Sequence, residues 1–366
     1  MLRFRPGSPR PLTQYRTDLG FAIIGCGSAG KRRAAALSSG DLRIACDRDL
    51  SRAREVAREH VGCRVTANEQ DAILDPSVHV VIVSTPHAAL AQLTLMAVRA
   101  GKHVLVEKPG AVRSAELREI QKAGVETGSL VRIGFNHRYS PAFQKAYELT
   151  KSEGLGSPLF IRGRYGHGGR AGFTKEWRVQ PDLSGGGVLI DMGVHLIDLA
   201  ASFMGDFSAI QGHLSSYFWD IPVEDNVFLD LSTRDNRRAW LHASYTDWKN
   251  VFSFEICFRD AKLHIEGIGR NYGVSRLHYH RLRPSIGAPE AVVFEYSRDD
   301  PSWAAEIAML REDTARRRTP TPGLAEGIRT LEIVEKIYRE KPPQATVPRL
   351  LPVTAPAVAK TPDARK

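Results

Sequence analysis

Cysteine is scarce in this chain. Four residues, Cys26, Cys46, Cys63 and Cys257, are scattered over 366 positions. That spacing gives neither the close pairs of a zinc site nor the density of a disulfide framework, so no metal is expected and a reducing, cytoplasmic compartment fits best. No apolar run approaches the ~20 residues that span a bilayer, and the basic N-terminus lacks the apolar stretch of a signal peptide, so no membrane partner is expected. Acidic residues are also short, 41 against 51 Lys and Arg, for a formal charge of +10. Most of that excess sits at the ends. Residues 1–18 carry four arginines against Asp18, and residues 341–366 carry five cations against Asp363. Both ends are Pro-rich and lack the aromatic-plus-basic pattern of a strand binder. They read as disordered tails, residues 1–18 and 342–366, and not as a nucleic-acid surface.

Between the tails, 42% hydrophobic and 25% charged residues describe an ordinary globular protein, and the length calls for two domains. The first half alternates apolar strands with helices. Phe21-Ala22-Ile23-Ile24 runs through Gly25-Cys26-Gly27-Ser28-Ala29-Gly30 into the helical Lys31–Leu37. Such a glycine turn between strand and helix is where a dinucleotide pyrophosphate sits: Gly25 makes the tight turn, Gly27 lets backbone approach phosphate, and Gly30 lets helix and strand pack. The next strand, Leu42–Cys46, ends in Asp47, near the ~20-residue distance expected for the acid that binds the adenosine ribose. Further strands are expected at Val78–Val83, ending in Ser84-Thr85-Pro86-His87, at Val104–Val106, ending in Glu107-Lys108-Pro109, and at Val131–Phe135. This is an α/β pattern, a doubly wound parallel sheet with its ligand at the carboxyl ends of the strands. Beyond Asn136 the pattern changes. Helices at Pro141–Lys151 and Asp191–Phe203 are followed by consecutive strands from Gly212 to Glu266, which implies a largely antiparallel open sheet on which helices Trp303–Arg317 and Gly323–Arg339 return to pack. Domains over residues 19–137 and 138–341 follow.

Lys108 is expected at the cofactor edge of the first sheet, where a lysine can stabilise alkoxide character on a substrate oxygen; pairing with Glu107 is the plainer reading. Asp191, His195 and Asp198 fall on one helical face after Gly185-Gly186-Gly187, and a histidine beside carboxylates is a suitable proton acceptor with its imidazolium favoured. The glycines allow close approach of a ligand or of the neighbouring domain. Arg162, Arg164, His167, Arg170, Lys175, Trp177 and Arg178 form a donor cluster suited to a phosphate-bearing or polyhydroxylated substrate, or equally a solvated face. Trp240 and Trp248, with Tyr217, Phe218 and Trp219, read as sheet packing.

With the Gly25–Gly30 turn, Thr85-Pro86, Glu107-Lys108-Pro109, Gly134-Phe135-Asn136-His137-Arg138-Tyr139-Ser140-Pro141 and Asp191-Met192-Gly193-Val194-His195, the chain resembles the Gfo/Idh/MocA oxidoreductases from about Phe21 to Arg339. The resemblance implies a Rossmann domain, a C-terminal α/β domain whose open sheet forms oligomer contacts, and nicotinamide-dependent chemistry on a sugar or cyclitol. It makes Lys108, Asp191 and His195 the catalytic residues. Cofactor contacts are expected from Gly25, Gly27, Ser28, Ala29, Gly30, Asp47, Arg48, Thr85, Pro86, His87, Glu107 and Lys108. Substrate contacts are expected from Asn136, Arg138, Tyr139, Arg164, Arg170, Trp177 and Arg178. His87 departs from the family's usual asparagine, which leaves contacts to the nicotinamide ribose open. Asp47 favours NAD by repelling a 2′-phosphate, and Arg48 keeps NADP in play. The expected partner is a small carbohydrate, with a nucleotide-activated sugar favoured by the arginines, and the assembly a homodimer or homotetramer through the C-terminal sheet. A redox-neutral enzyme that retains NAD, and an NAD-sensing regulator, stay open.

Overall fold

Six parallel strands form the first sheet of the computed structural model, which describes residues 19–282 and 289–340; both expected tails lie outside those residues. In chain order the elements are β1 (Phe21–Ile24), α1 (Ser28–Ala35), β2 (Leu42–Cys46), α2 (Leu50–Ala57), β3 (Arg64–Thr66), α3 (Glu69–Leu74), β4 (Val80–Val83), α4 (His87–Arg99), β5 (His103–Glu107), α5 (Ser114–Thr127) and β6 (Val131–Gly134). The strand order is β3-β2-β1-β4-β5-β6. Every residue of β1 and β4 is buried, as continuous apolar strands must be when helices cover both faces. The order reverses between β1 and β4, and a crevice opens there beyond the strands' carboxyl ends. Gly25 closes that point with φ +94, and a Cβ on it would sit 2.6 Å from the Ser84 carbonyl oxygen. The short β3 and α3 gave no sequence signal, since a half-exposed three-residue strand has no period to read.

The second sheet follows α6 (Pro141–Ser152), β7 (Phe160–Gly166), α7 (Pro181–Ser184), a π-helical turn at Leu189–Gly193 and α8 (Val194–Met204). Its remaining strands are β8 (Ala209–Ser215), β9 (Asn226–Ser232), β10 (Arg238–Ser244), β11 (Val251–Cys257), β12 (Ala261–Glu266), β13 (Arg276–Arg281) and β14 (Glu290–Glu295). The order is β14-β13-β12-β11-β7-β10-β9-β8, antiparallel except where β7 pairs with β10. The apolar stretch Pro181–Met204 is long enough to cross a membrane by composition, yet most of it is buried inside the fold, where α8 covers the sheet's inner face. The outer face is open. Trp240 there is 57% exposed, with Phe160 and Phe228 beside it, and Trp248, Tyr217 and Phe218 are exposed too, so these aromatics do not pack the sheet as expected.

The chain ends in α9 (Ser302–Arg316) and α10 (Leu324–Glu340). Helix α10 does pack on the second sheet, through Ile337 against Gly212, but α9 returns to the first domain. The reason is charge. Arg33 on α1 is fully buried, with Glu107 at 2.7 Å and Glu306 of α9 as partners; Arg132 of β6 is fully buried with Asp313 of α9. Removing one member of a buried ion network strands the rest and costs about 3–5 kcal/mol. Arg33→Ala is therefore expected to lower the urea midpoint by that much stability, and adding Glu306→Gln to recover part of it. An unchanged midpoint in the single variant contradicts this reading.

Candidate active site

A cavity of about 1220 Å³ lies between the two sheets at the β1/β4 reversal. One end is built by the first domain. Helix α1 starts at Gly27 with no side-chain cap, so its first amides are free to face an anion. A Cβ at Gly27 would meet nothing within 4 Å, so the glycine opens onto space. Gly30 instead lies under the Gly25 carbonyl, which leaves no room for a side chain; it lets α1 pack and does not line the cavity. Asp47, at the tip of β2, is fixed by the Cys26 amide at 2.7 Å and the Asp49 amide at 2.9 Å. Burial and the Asp47 charge push the Cys26 thiol up to about 12, which keeps it inert. Gly25, Ser28, Ala29, Arg48, Thr85, Pro86, His87 and Glu107 also line the cavity. This end suits a dinucleotide: open glycine backbone, a helix N-terminus and a fixed carboxylate.

The floor joins both domains. Lys108, just past β5, donates from Nζ to Asp191 Oδ1 at 2.6 Å and also to the Asp191 carbonyl. Tyr245 donates its hydroxyl to Asp191 Oδ2 at 2.9 Å, and Arg178 Nε lies 3.5 Å from the same oxygen. Burial alone would raise the Asp191 carboxyl, but Lys108, Arg178 and His87 outweigh it and hold the group well below the usual range, so it is ionised. Glu107 is not the lysine's partner, because Arg33 takes it.

His195 departs from expectation. Burial, then His137 and Lys108, hold its imidazole well below its ordinary value against the opposing pull of Asp191, so it is neutral rather than an imidazolium. Its ring stacks on that of His137, with centroids 4.0 Å apart and planes 21° from parallel. Asp191 and His195 both line the cavity, but Asp198 does not. His195 and Asp198 share the regular turns of α8, but the buried Asp198 is spent on a bidentate pair with Arg138 at 2.6 and 2.7 Å. Arg138 is therefore a structural cation and not a substrate contact. Tyr139 is likewise withdrawn, its hydroxyl bonded to the Thr321 carbonyl at 3.1 Å and to Arg132. Arg164 lies on the outer face of β7, paired with Asp247, because alternation along a strand sends it away from the site. Asn136, Arg170, Trp177 and Arg178 do line the cavity.

His87 is buried edge-on to Trp177, and its Nδ1 lies 2.8 Å from the Ser184 carbonyl oxygen. That acceptor fixes the proton on Nδ1 and leaves Nε2 as an acceptor. The triple glycine makes the close approaches expected of it, Gly185 to the neighbouring domain and Gly186 and Gly187 within the second domain. A Cβ on Gly187 would strike Glu224, one on Gly186 would strike the Tyr338 hydroxyl, and one on Gly185 would lie 2.5 Å from Val112. Fully buried Glu224 accepts the Gly187 amide at 3.2 Å, the Leu189 amide at 3.0 Å and the Tyr338 hydroxyl at 2.8 Å. It anchors the start of the turn that carries Asp191. The glycines signal close approach in the sequence, but nothing local names a partner 37 residues away. Tyr245, His137, Tyr165, Arg270 and Tyr272 were missed for the same reason.

Residues 19–135 match the model of an oxidoreductase family with an NAD-binding Rossmann fold, and residues 143–264 match the GFO/IDH/MocA C-terminal domain. The chain belongs to the Gfo/Idh/MocA family. Its first domain is that family's NAD-binding Rossmann fold. It is 28% identical over 220 residues to levoglucosan dehydrogenase of Pseudarthrobacter phenanthrenivorans, covering 57% of this chain and 56% of that protein. It is 29% identical over 254 residues to D-glucoside 3-dehydrogenase of Escherichia coli, covering 63% and 71%. The chain thus spans about half the length of the first of these relatives. In structure it is similar to levoglucosan dehydrogenase in complex with NADH, at TM-score 0.78 and 22% identity over 88% of this chain and 98% of that one, which shows the fold.

His87 gives a pH prediction. Burial first, then Lys108, lowers its imidazole from 6.5 to about 3. A histidine held neutral in the fold loses stability as pH falls below its unfolded value, by about 2 kcal/mol at pH 5. Urea unfolding of the natural chain and His87→Asn should therefore show the gap moving in the variant's favour by that amount between pH 8 and pH 5. A constant gap contradicts it.

Proposed function

We propose that this protein is an NAD-dependent oxidoreductase that interconverts a hydroxyl-bearing carbon and a carbonyl on a carbohydrate. The observation that carries the reading is the Lys108–Asp191 pair on the cavity floor, one residue from each domain, just past the carboxyl end of β5. NAD, when bound, would supply the hydride acceptor, and the Gly25–Ala29 backbone and the Asp47 carboxylate would hold it. Lys108 then hydrogen-bonds the substrate oxygen and stabilises its developing negative charge. Asp191 holds that ammonium in place, and neutral His195 takes the hydroxyl proton. Asn136, Arg170, Trp177 and Arg178 form the wall for the sugar. Two arginines beside an indole suit a nucleotide-activated sugar, although Arg162 and Arg164 on the outer face no longer support that choice. NAD is preferred to NADP in this reading, since the Asp47 carboxylate, held by the Cys26 and Asp49 amides, would repel a 2′-phosphate. A cytoplasmic location agrees with four free thiols.

The test is incubation with NAD and a pool of nucleotide sugars, free sugars and cyclitols, following NADH absorbance and product mass together. NADH appearing with a product lighter by two hydrogens supports the reading. Substrate loss without NADH points to redox-neutral use of the cofactor. Lys108→Met should lower turnover by at least ~10²–10³-fold with NAD affinity nearly intact; retained turnover removes Lys108 from the mechanism.

The open face of the second sheet is the proposed self-association surface, as a homodimer or homotetramer. Half-exposed Trp240, Phe160 and Phe228 share that face on three adjacent strands, with Phe160 and Phe228 each diagonal to Trp240 in the register. Trp240→Asp is expected to shift the mass measured by light scattering to that of a monomer. A monomeric natural chain overturns this surface.

A further inference from the structure

At the start of α1, the cavity has a side compartment of about 670 Å³ walled by Cys26, Gly27, Ser28 and Trp177 and by six cations, with no carboxylate among its lining residues. Four of those cations have acidic partners nearby: Lys31 pairs with Glu55, Arg52 with Asp49, and Arg170 and Arg178 with Glu176. Arg32 and Arg270 have no ion pair among the described residues. They come from different domains, Arg32 from α1 and Arg270 from the loop after β12. The guanidinium of Arg32 lies over the Trp303 ring, 5.6 Å from its centroid. Both guanidiniums line this one compartment, and partial desolvation and the charge of Arg270 lower the proton affinity of Arg32 against the opposing pull of Asp300. Arg270 also holds a left-handed backbone, φ 52, between Gly269 and Gly273, with its amide bonded to the Arg298 carbonyl at 2.9 Å. A non-glycine residue in that region is strained and persists where its surroundings enforce it.

An anion between the two guanidiniums relieves their repulsion and uses the strained loop. Two full charges beside the partial charge of the α1 N-terminus exceed what one carboxylate neutralises, and match a phosphoryl group with several acceptor oxygens. We propose that Arg32 and Arg270 form a two-armed clamp, one arm from each domain, that binds a phosphoryl group across the cleft. Two sources share that chemistry: the diphosphate of the dinucleotide, and a phosphate carried by the substrate. Only the second rests on the proposed function.

The experiment is calorimetric titration of inorganic pyrophosphate into the full chain, with and without saturating NADH, alongside NADH titration by fluorescence. Arg32→Gln and Arg270→Gln replace exposed side chains and should leave the fold intact, which circular dichroism checks. Either variant should weaken pyrophosphate binding at least tenfold. If NADH displaces pyrophosphate and the variants weaken NADH by a similar factor, the clamp holds the dinucleotide's diphosphate. If pyrophosphate binds alongside NADH and NADH affinity is unchanged, it holds a substrate phosphate. Pyrophosphate and NADH affinities unchanged in both variants overturn the clamp. Because all readouts are equilibrium binding, a failed turnover screen leaves this result standing.

Discussion

One buried ion pair organises this molecule: Lys108 of the NAD-binding domain bonded to Asp191 of the second domain. Neither group could be buried alone, since an isolated charge in the cleft would be neutralised or the cleft would open. The pair therefore places the end of β5 against the turn before α8. Everything else on the floor is arranged around it. Tyr245 and Arg178 complete the surroundings of Asp191, and Glu224 with Tyr338 anchors the backbone from which it projects. Arg33, with Glu107 and Glu306, fixes the strand end from beneath.

This arrangement also sets the protonation of the site. Asp191 is an anion because cations surround it; His195 and His87 are neutral because they are buried near the Lys108 charge. Cation, anion and neutral base are thus present together at neutral pH, which is what transfer of a proton away from a hydroxyl requires while charge builds on its oxygen. The stacked His137 adds to this, since a second imidazole at 4.0 Å discourages protonation of the first.

Much of the cofactor end was legible in the sequence, because its signals are local. A glycine turn, a strand ending in Asp47 and a strand ending in Lys108 each encode their own geometry, and the sheet order places them together. Residues that depend on distant partners were read less well. Arg138, Tyr139 and Arg164 looked like donors for a substrate, but their side chains belong to Asp198, Thr321 and Asp247. Asp198 drops out of the face expected for Asp191, His195 and Asp198 because its carboxylate is taken by Arg138, 60 residues earlier in the chain. Helix α9 was assigned to the wrong sheet for the same reason: only the buried Arg33 and Arg132, far earlier in the chain, explain where it docks.

The most direct test of this account is a crystal structure of the protein with NAD bound. The account places the nicotinamide ring over the floor formed by Lys108, Asp191 and His195, with the lysine still bonded to Asp191 and the adenosine ribose on Asp47. A ring bound away from that floor, or a Lys108 that releases Asp191 to solvent when NAD binds, would contradict it.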